Sequence, residues 1–374
     1  MSIEFKVILV PQNQMKNSIL VAWAFLLIFP IAHAFDRISS YQNAKHPPFY
    51  SETFPLDSWG RTPQLAEARA FFKYADGNNG LIANEHGYQT HNHTLQQAKP
   101  GIVNFYVMKD SAWVKADVKI NYKSETCIHA RKIISADFNN DNVIDFAFMC
   151  QGYDAMPFPG EKMKILLSKS NHEYDFQVLH DDIDFFHGGA SEDFNGDGLP
   201  DLFVGTMHSP KLYLNIGDGK FKYEKTYSQI KRAFSIELVD VNGDGKFDIV
   251  SGAHEWETPT TIYLNKGSND FGYFDGLTIP PVPGAGNILD FIVSKNDNCL
   301  YIMRTGGEKG NRAVWYKGVF IQKLCGKSSE VIYENKDWVD PTRKSYKFTS
   351  MRWMIESEGA LISDWGGFLR VPIK

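Results

Sequence analysis

The chain has 374 residues, of which 43% are hydrophobic and 14% are aromatic, and its formal net charge is −5. Its 39 Lys and Arg residues form no basic cluster, and because phosphate neutralisation needs grouped cations, nucleic acid is excluded as the expected partner. The aromatic content exceeds what a core needs, so we expect some rings to face a ligand.

The first residues, 1–34, have the pattern of a signal peptide. An apolar stretch from Ile19 to Phe29 is followed by Pro30 and by the small-x-small cleavage site Ala32-His33-Ala34. The apolar stretch is too short to span a bilayer, so we expect no transmembrane anchor in the mature chain. We therefore predict one domain over 35–374, located in the periplasm or outside the cell.

A nine-residue phrase with oxygen-bearing side chains at positions 1, 3, 5 and 9 occurs at 137–145, 193–201 and 240–248. Such oxygen donors, with a backbone carbonyl at position 7, are what a hard cation such as Ca²⁺ binds in a tight loop. The expected calcium ligands are Asp137, Asn139, Asp141, Val143 and Asp145; Asp193, Asn195, Asp197, Leu199 and Asp201; and Asp240, Asn242, Asp244, Lys246 and Asp248. The alternative is a metal-free polar turn. The regular recurrence predicts one reiterated structural unit.

The EF-hand has a similar loop but requires Glu at position 12 and a helix on each side. Here position 12 is Phe148, Val204 or Ser251. Each phrase is followed by a short apolar run that predicts a buried strand, and strand-like residues also precede it. The loop therefore joins the two strands of a hairpin.

These phrases resemble the FG-GAP or VCBS repeats of integrin-like β-propellers, whose blades carry Asp-x-Asn-Gly-Asp-Gly-x-x-Asp between the first and second strands. Weaker copies lie at 75–82, 289–293 and 352–363. The resemblance implies an all-β fold, a β-propeller of six or seven four-stranded antiparallel blades.

The four cysteines of a chain with an export signal can form two disulfides, and sequence alone leaves three connectivities open. Cys127 and Cys150 are expected at the same end of one blade, and Cys299 and Cys325 would close a second local loop. The alternative of four buried free thiols is disfavoured in an oxidising compartment.

If the metal loops lie on one face of a propeller, the start of each first strand and the connection after each second strand lie on the opposite face. The candidate ligand-binding residues at these positions are His129, Arg131, Tyr153, Asp154, His187, His208, Arg232, His254, Glu255, Trp256, Arg304 and Trp365. Any one of these rings could instead cover the core. Together they predict a binding surface for a glycan or a surface protein.

Enzyme motifs are mostly absent: His254-Glu255 has no second metalloprotease His, and Ser191 lacks the glycines of a nucleophile elbow. We therefore assign no catalytic residue and expect binding. The alternative is a carbohydrate-active hydrolase or lyase, in which two groups among His187, His254, Glu255 and Asp154 would have to converge on one substrate bond.

Overall fold

The structure is a computed structural model, and it describes residues 49–50, 68–85, 94–109, 112–267, 271, 276–336, 353–357, 360–363 and 368–372. The predicted signal peptide and Trp365 lie outside these residues. The described residues form β-strands and two short 3-10 helices, Leu95–Gln97 and Arg312–Val314, which confirms the all-β prediction for this part of the chain. Across the same ranges, no helix has both the length and the apolar character needed to cross a membrane.

Five sheets follow one another along the chain, and each is a blade. Blade 1 contains β2 (Ala68–Lys73), β3 (Asn79–Glu85), β4 (Ile102–Lys109) and β5 (Ala112–Lys115). Blade 2 contains β7 (Ala130–Ala136), β8 (Asp145–Cys150), β9 (Glu161–Ser170) and β10 (Glu173–Asp184), with β6 (Lys119–Tyr122) at its edge. Blade 3 contains β11 (Phe186–Glu192), β12 (Asp201–Thr206), β13 (Lys211–Asn215) and β14 (Phe221–Thr226). Blade 4 contains β15 (Ser235–Val239), β16 (Asp248–Gly252), β17 (Thr261–Tyr263) and β18 (Gly276–Thr278), and blade 5 contains β19 (Asn287–Val293), β20 (Leu300–Thr305), β21 (Val319–Cys325) and β22 (Ser328–Asn335).

The first strand of each blade contacts the first strand of the next blade, in the order β2, β7, β11, β15 and β19. Within each blade, the four consecutive strands pair antiparallel with their chain neighbours. Successive blades therefore lie side by side around a common axis, with their first strands innermost. This arrangement confirms a β-propeller of antiparallel four-stranded blades.

The predicted number of blades, six or seven, needs correction, because the structure gives five blades built from consecutive strands. The other described strands form a separate sheet that joins the two ends of the chain: β1 (Phe49–Tyr50), β23 (Trp353–Ser357), β24 (Ala360–Ser363) and β25 (Phe368–Pro372). Strand β1 pairs antiparallel with β25. The weak copy of the repeat at 352–363 covers β23 and β24, but this sheet takes β1 from the other end of the chain and so is not built from consecutive strands.

Blade 2 also departs from the expected pattern, because β6 pairs parallel with β10 as a fifth strand. Charged side chains hold this edge in register. Lys119 Nζ lies 2.7 Å from Glu173 Oε1, and Lys123 Nζ lies 2.7 Å from Asp175 Oδ2. The repeated phrase does not predict β6, because β6 precedes the first phrase at 137–145.

The core lies between the faces of adjacent blades. Phe72 of blade 1 packs edge-on against Phe146 of blade 2, with ring centroids 5.0 Å apart, and similar clusters fill the next three blade boundaries. Blades 3 and 4 approach so closely that a Cβ at Gly205 would overlap the carbonyl oxygen of Ala233. Glycine at this position therefore allows the two blades to meet.

Two disulfides are present, which confirms the expected pairing. Cys127, just before β7, is bonded to Cys150 at the end of β8, with Cα atoms 5.5 Å apart. Cys299, just before β20, is bonded to Cys325 at the end of β21, with Cα atoms 4.7 Å apart. Each bond links two neighbouring strands of one blade.

Candidate functional site

The three repeated loops connect β7 with β8, β11 with β12, and β15 with β16, and they share one hydrogen-bonding pattern. In the second loop, Asp193 Oδ2 accepts a hydrogen bond from the Gly198 backbone N–H at 2.9 Å, and Asp197 Oδ1 accepts one from Leu199 N–H at 2.9 Å. The equivalent bonds occur in the other loops, for example from Asn142 N–H to Asp137 Oδ2 at 2.8 Å and from Gly245 N–H to Asp240 Oδ2 at 2.8 Å.

The sixth position of each loop has a left-handed backbone, with φ of 65° at Asn142, 87° at Gly198 and 81° at Gly245. Glycine and, less readily, asparagine adopt this conformation. This turn places the oxygens of the first, third and fifth positions on the exposed loop, so the sequence pattern and the geometry agree.

The ninth aspartate of each phrase is buried and ties the loop to the third strand of its blade. Asp201 Oδ2 accepts a hydrogen bond from Phe194 N–H at 3.0 Å, and its Oδ1 accepts one from Asn215 N–H at 2.8 Å. Asp145 and Asp248 make the matching bonds to Ser168 N–H and Asn265 N–H. Burial raises the pKa of each of these three carboxyls to about 6, against the opposing effect of the hydrogen bonds.

The donor set of each loop suits calcium, since it consists of carboxylate, amide and peptide oxygens without nitrogen or sulfur. The first, third and fifth side chains lie at the exposed end of the hairpin, within reach of solvent cations. A cation bound there would be held by residues of one turn. Its chemistry would be structural: it would neutralise the clustered carboxylates.

Opposite these loops, at the other end of the strands, a row of rings runs along the blade edges. His187 in β11 stacks on Phe234, which precedes β15, with ring centroids 4.5 Å apart. Phe234 meets His254, which follows β16, at 5.4 Å, and His254 stacks on Trp256 at 4.6 Å. Three of the predicted ligand-face residues, His187, His254 and Trp256, thus lie together.

Three further rings extend this row at both ends. Trp315, in the connection between β20 and β21, stacks on Trp256 at 5.1 Å, and its indole N–H donates to the Glu308 carbonyl oxygen at 2.7 Å. At the other end, Phe185 lies 6.2 Å from His187 and Phe158 lies 5.6 Å from Phe185. We call these seven residues the aromatic row: Phe158, Phe185, His187, Phe234, His254, Trp256 and Trp315.

Charged side chains lie beside the centre of the aromatic row. Glu257 Oε2 lies 3.2 Å from Arg232 Nη1 and 3.6 Å from His254 Nδ1. Burial lowers the pKa of His254 below its usual value; Glu257 opposes this shift, whereas Arg232 and Arg131 add to it. His254 is therefore mainly neutral at neutral pH, and Glu257 bridges it to Arg232.

Three predicted ligand-face residues are instead bonded inside the protein. His129 is 1% exposed, and its Nδ1 lies 2.7 Å from Gln151 Nε2. Arg304 is fully buried; its Nη1 lies 2.8 Å from Glu255 Oε2, and its Nε–H donates to Gln322 Oε1 at 2.8 Å. His129, Glu255 and Arg304 thus support blades 2, 4 and 5 from within.

The remaining candidates lie at the same end of the strands. Arg131 is buried in β7, Tyr153 and Asp154 are half-buried after β8, and His208 is exposed after β12. The backbone N–H of Arg232 donates to the His208 carbonyl oxygen at 2.8 Å, which joins the edges of blades 3 and 4.

A small cavity of about 50 Å³ lies between blades 1 and 2 at the opposite end, beside the first loop. Phe72, Tyr74, Asn142 and Tyr174 are among the residues that line it. None of its lining residues belongs to the aromatic row.

Two comparisons with known proteins give matches. A family model for the FG-GAP-like repeat matches residues 193–251, which include the second and third loops. The fold is similar to that of the periplasmic gluconolactonase of Pseudomonas aeruginosa (9% identity, TM-score 0.47, 86% of this chain and 87% of that chain). It is also similar to a β-1,3-galactosidase solved with galactodeoxynojirimycin (9% identity, TM-score 0.46, 77% of this chain and 99% of that chain). A third similar structure is an ulvan lyase (11% identity, TM-score 0.45, 82% of this chain and 79% of that chain).

These structural similarities, at such low identities and TM-scores, carry no argument about function. A comparison with curated proteins gives no match. The matched segment is an FG-GAP-like repeat, and the blades have the arrangement of a β-propeller.

Proposed function

We propose that this chain is a glycan-binding module whose binding surface is the aromatic row. The observation that carries the proposal is the continuity of the row: successive ring centroids lie 4.5 to 6.2 Å apart from blade 2 to blade 5. Several of these rings stack on one another, and His254, Trp256 and Trp315 lie within 5.8 Å of each other, so a chain of sugar rings would contact the exposed parts of the row.

The chemistry of the row suits a carbohydrate. Phe158, His187, Phe234, His254, Trp256 and Trp315 are half-buried, so the protein supports each ring while part of it faces solvent. A pyranose can stack its C–H face on such a ring, and the polar groups of Arg232, Glu257 and His254 can bond its hydroxyls. Aromatic and arginine side chains also anchor protein partners.

Calcium, in this proposal, binds the three loops on the opposite face and stabilises the hairpins. The support is the oxygen-only donor set and the left-handed turn that all three loops share. Bound cations would offset the mutual repulsion of the three aspartates in each loop. Calcium would thus act far from the aromatic row.

We also propose that the separate sheet of β1, β23, β24 and β25 closes the ring between blade 5 and blade 1. Its strand β23 contacts both β2 of blade 1 and β19 of blade 5, which are the innermost strands on either side of the gap. Pairing of β1 with β25 would then fasten the two ends of the chain together. Such closure leaves no exposed edge around the ring.

Location in the periplasm or outside the cell is proposed on the basis of the disulfides and the signal-peptide pattern. Disulfides persist mainly in oxidising compartments. The two bonds in this chain, Cys127–Cys150 and Cys299–Cys325, account for all four of its cysteines.

A glycan array tests the proposed function. We expect the wild-type protein to bind at least one class of oligosaccharide, and the double variant Trp256→Ala, Trp315→Ala to lose most of that binding. Tyr122→Ala is the matched control, because Tyr122 is an aromatic residue that is 50% exposed on β6, outside the row. Binding unaffected by the double variant, or capture of a protein partner with no glycan bound, would contradict the proposal.

A hydrolase or lyase is the second candidate, and one contact favours it: His254 Nδ1 and Glu257 Oε2 lie 3.6 Å apart at the centre of the row. Two such groups can exchange protons with one substrate. Mass spectrometry of the bound oligosaccharide after long incubation separates the two functions. We expect no cleavage, whereas product that disappears in Glu257→Gln would establish catalysis.

A further inference from the structure

We infer that the aromatic row releases its glycan in acid, and that His254 is the group that takes up the proton. This inference rests on the proposed function and adds to it the regulation of the same site. It depends on the packing of His254 at the centre of the row, on the charged side chains that face it, and on the burial that a bound sugar would add.

His254 is packed among three other rings of the row. Trp256 stacks on it at 4.6 Å with an interplanar angle of 14°, Phe234 meets it edge-on at 5.4 Å, and Trp315 lies 5.8 Å away. The backbone of His254 forms a β-bridge with Asn287, and its side chain is 20% exposed. The imidazole is therefore held where blades 4 and 5 meet, and a proton taken up there places a charge at the centre of the row.

Charged groups from three elements act on this imidazole. Glu257, in the connection between β16 and β17, has its Oε2 3.6 Å from His254 Nδ1. Arg232, in the connection between β14 and β15, has its Nη1 3.2 Å from the same Oε2, and Arg131 of β7 is the third group. Burial is the main cause that lowers the pKa of His254 below its ordinary value of 6.5; Glu257 opposes this shift, and both arginines add to it.

The packed position of His254 suits the neutral imidazole. At 3.6 Å, the separation of Nδ1 and Glu257 Oε2 exceeds the length of a hydrogen bond, and the same oxygen is already paired with Arg232. A cation at His254 would compete with Arg232 for this oxygen. It could be stabilised only if the imidazole or Glu257 moved, and movement of the imidazole would disturb its stack on Trp256.

A bound glycan would strengthen the preference for the neutral form. Sugar rings in contact with Trp256 and Trp315 would cover the exposed part of His254, and burial disfavours the charged imidazolium. The glycan complex therefore holds a proton at His254 less readily than the free protein does. The affinity is complete above pH 6.5, the ordinary pKa of histidine, and is lost as the pH falls through the lower pKa of His254 in the folded protein.

The test follows the protonation of His254 and the binding of glycans over one pH range. NMR of the histidine ring protons gives the pKa of His254 in the free protein, with its signal identified by its loss in His254→Phe. Calorimetry measures binding of hexasaccharides of cellulose, xylan, mannan and galactan, which carry no titratable group, and of any oligosaccharide that binds on the glycan array. We expect an affinity about tenfold weaker at one pH unit below the measured pKa.

Three variants identify the group that senses pH. His254→Phe keeps a ring in the row and removes the site of protonation, so its affinity should be the same at neutral and acid pH. Arg232→Gln should raise the pKa of His254 by removing a cation, and Glu257→Gln should lower it by removing a carboxylate. The pH at which binding is lost should move in the same two directions. His172→Gln is the control, because His172 is exposed in the turn between β9 and β10, at the other end of the blades.

The outcomes separate this inference from the proposed function. A wild-type affinity that stays constant while His254 titrates would overturn the inference and leave glycan binding intact. A loss of affinity in acid that persists in His254→Phe would overturn the role of His254. Failure of every oligosaccharide to bind at every pH would contradict both.

Discussion

Replacing the buried ninth aspartate of a loop should destabilise the whole blade. Asp201 is 1% exposed and accepts hydrogen bonds from Phe194 N–H and Asn215 N–H at 3.0 and 2.8 Å. In Asp201→Ala both donors lose their partner, and each buried unsatisfied donor costs about 1–3 kcal/mol, which gives about 2–6 kcal/mol in all. Removing a desolvated carboxylate, whose pKa is raised to about 6, offsets part of this cost at neutral pH. We therefore expect a loss of about 2–4 kcal/mol in the free energy of unfolding.

Urea unfolding in the presence of a chelator measures this loss without any contribution from bound metal. Asp248→Ala should give a similar value, because Asp248 accepts from Val241 N–H and Asn265 N–H at 3.0 and 2.8 Å. Asp218→Asn is the control: the Asp218 side chain is 85% exposed and asparagine tolerates its left-handed backbone, φ 54°, so this change should alter stability by about 0.5 kcal/mol or less. If Asp201→Ala unfolds within 0.5 kcal/mol of the wild type, the argument that these carboxylates tie loop to strand is refuted.

Three further predictions concern metal, pH and the aromatic row. At calcium concentrations about 100-fold above Kd, each occupied loop should add about 2.7 kcal/mol to the free energy of unfolding. A chelator should therefore lower Tm by at least several degrees, and an unchanged Tm would contradict the calcium proposal. Burial raises the pKa of Glu237 from 4.5 to about 7. The contribution of Glu237 to stability is therefore complete below about pH 4.5 and is lost as the pH rises through 7. Between pH 5 and pH 8, the free energy of unfolding of Glu237→Gln should therefore rise relative to that of the wild type by roughly 1–3 kcal/mol. Asp218→Asn is the control, in which this difference should not depend on pH. A difference between Glu237→Gln and the wild type that does not depend on pH would refute the raised pKa of Glu237. A Cβ at Gly307 would lie 2.6 Å from Trp256 Cζ3, so Gly307→Ala should displace the Trp256 indole. This displacement should shift the tryptophan fluorescence and weaken glycan binding. An unchanged emission spectrum and an unchanged glycan affinity would contradict this packing.

The repeated phrase made the loops, their hairpins and the paired cysteines predictable, because each depends on residues close together in sequence. The Asp-x-Asn-x-Asp pattern requires a turn at its sixth residue, and the strands on either side carry apolar runs. The match of 193–251 to the FG-GAP-like repeat covers this most regular part of the chain.

Features that depend on contacts between distant segments were not predictable in the same way. The weak copy at 289–293 lies inside strand β19, where Asp290 Oδ1 pairs with Lys132 Nζ at 2.9 Å, and not in a loop. Arg304 and Glu255 looked like exposed loop residues, but each neutralises the other in the interior. Their pairing is visible only when blades 4 and 5 are placed side by side.

Trp315 was missed because its connection between β20 and β21 carries no repeat pattern. Its aromatic character was the one available signal, and its stacking on Trp256 becomes evident only in the fold. Glu257 was missed for a similar reason. Its role depends on the contact with Arg232, a residue in the connection between blades 3 and 4, and this contact is evident only in the fold.

A crystal structure of the protein with the tightest-binding oligosaccharide tests the central claim most directly. The account predicts sugar rings in contact with Trp256 and Trp315, on the face opposite the three loops. Sugar bound at the loops, or in the cavity between blades 1 and 2, with the aromatic row uncovered, would contradict it.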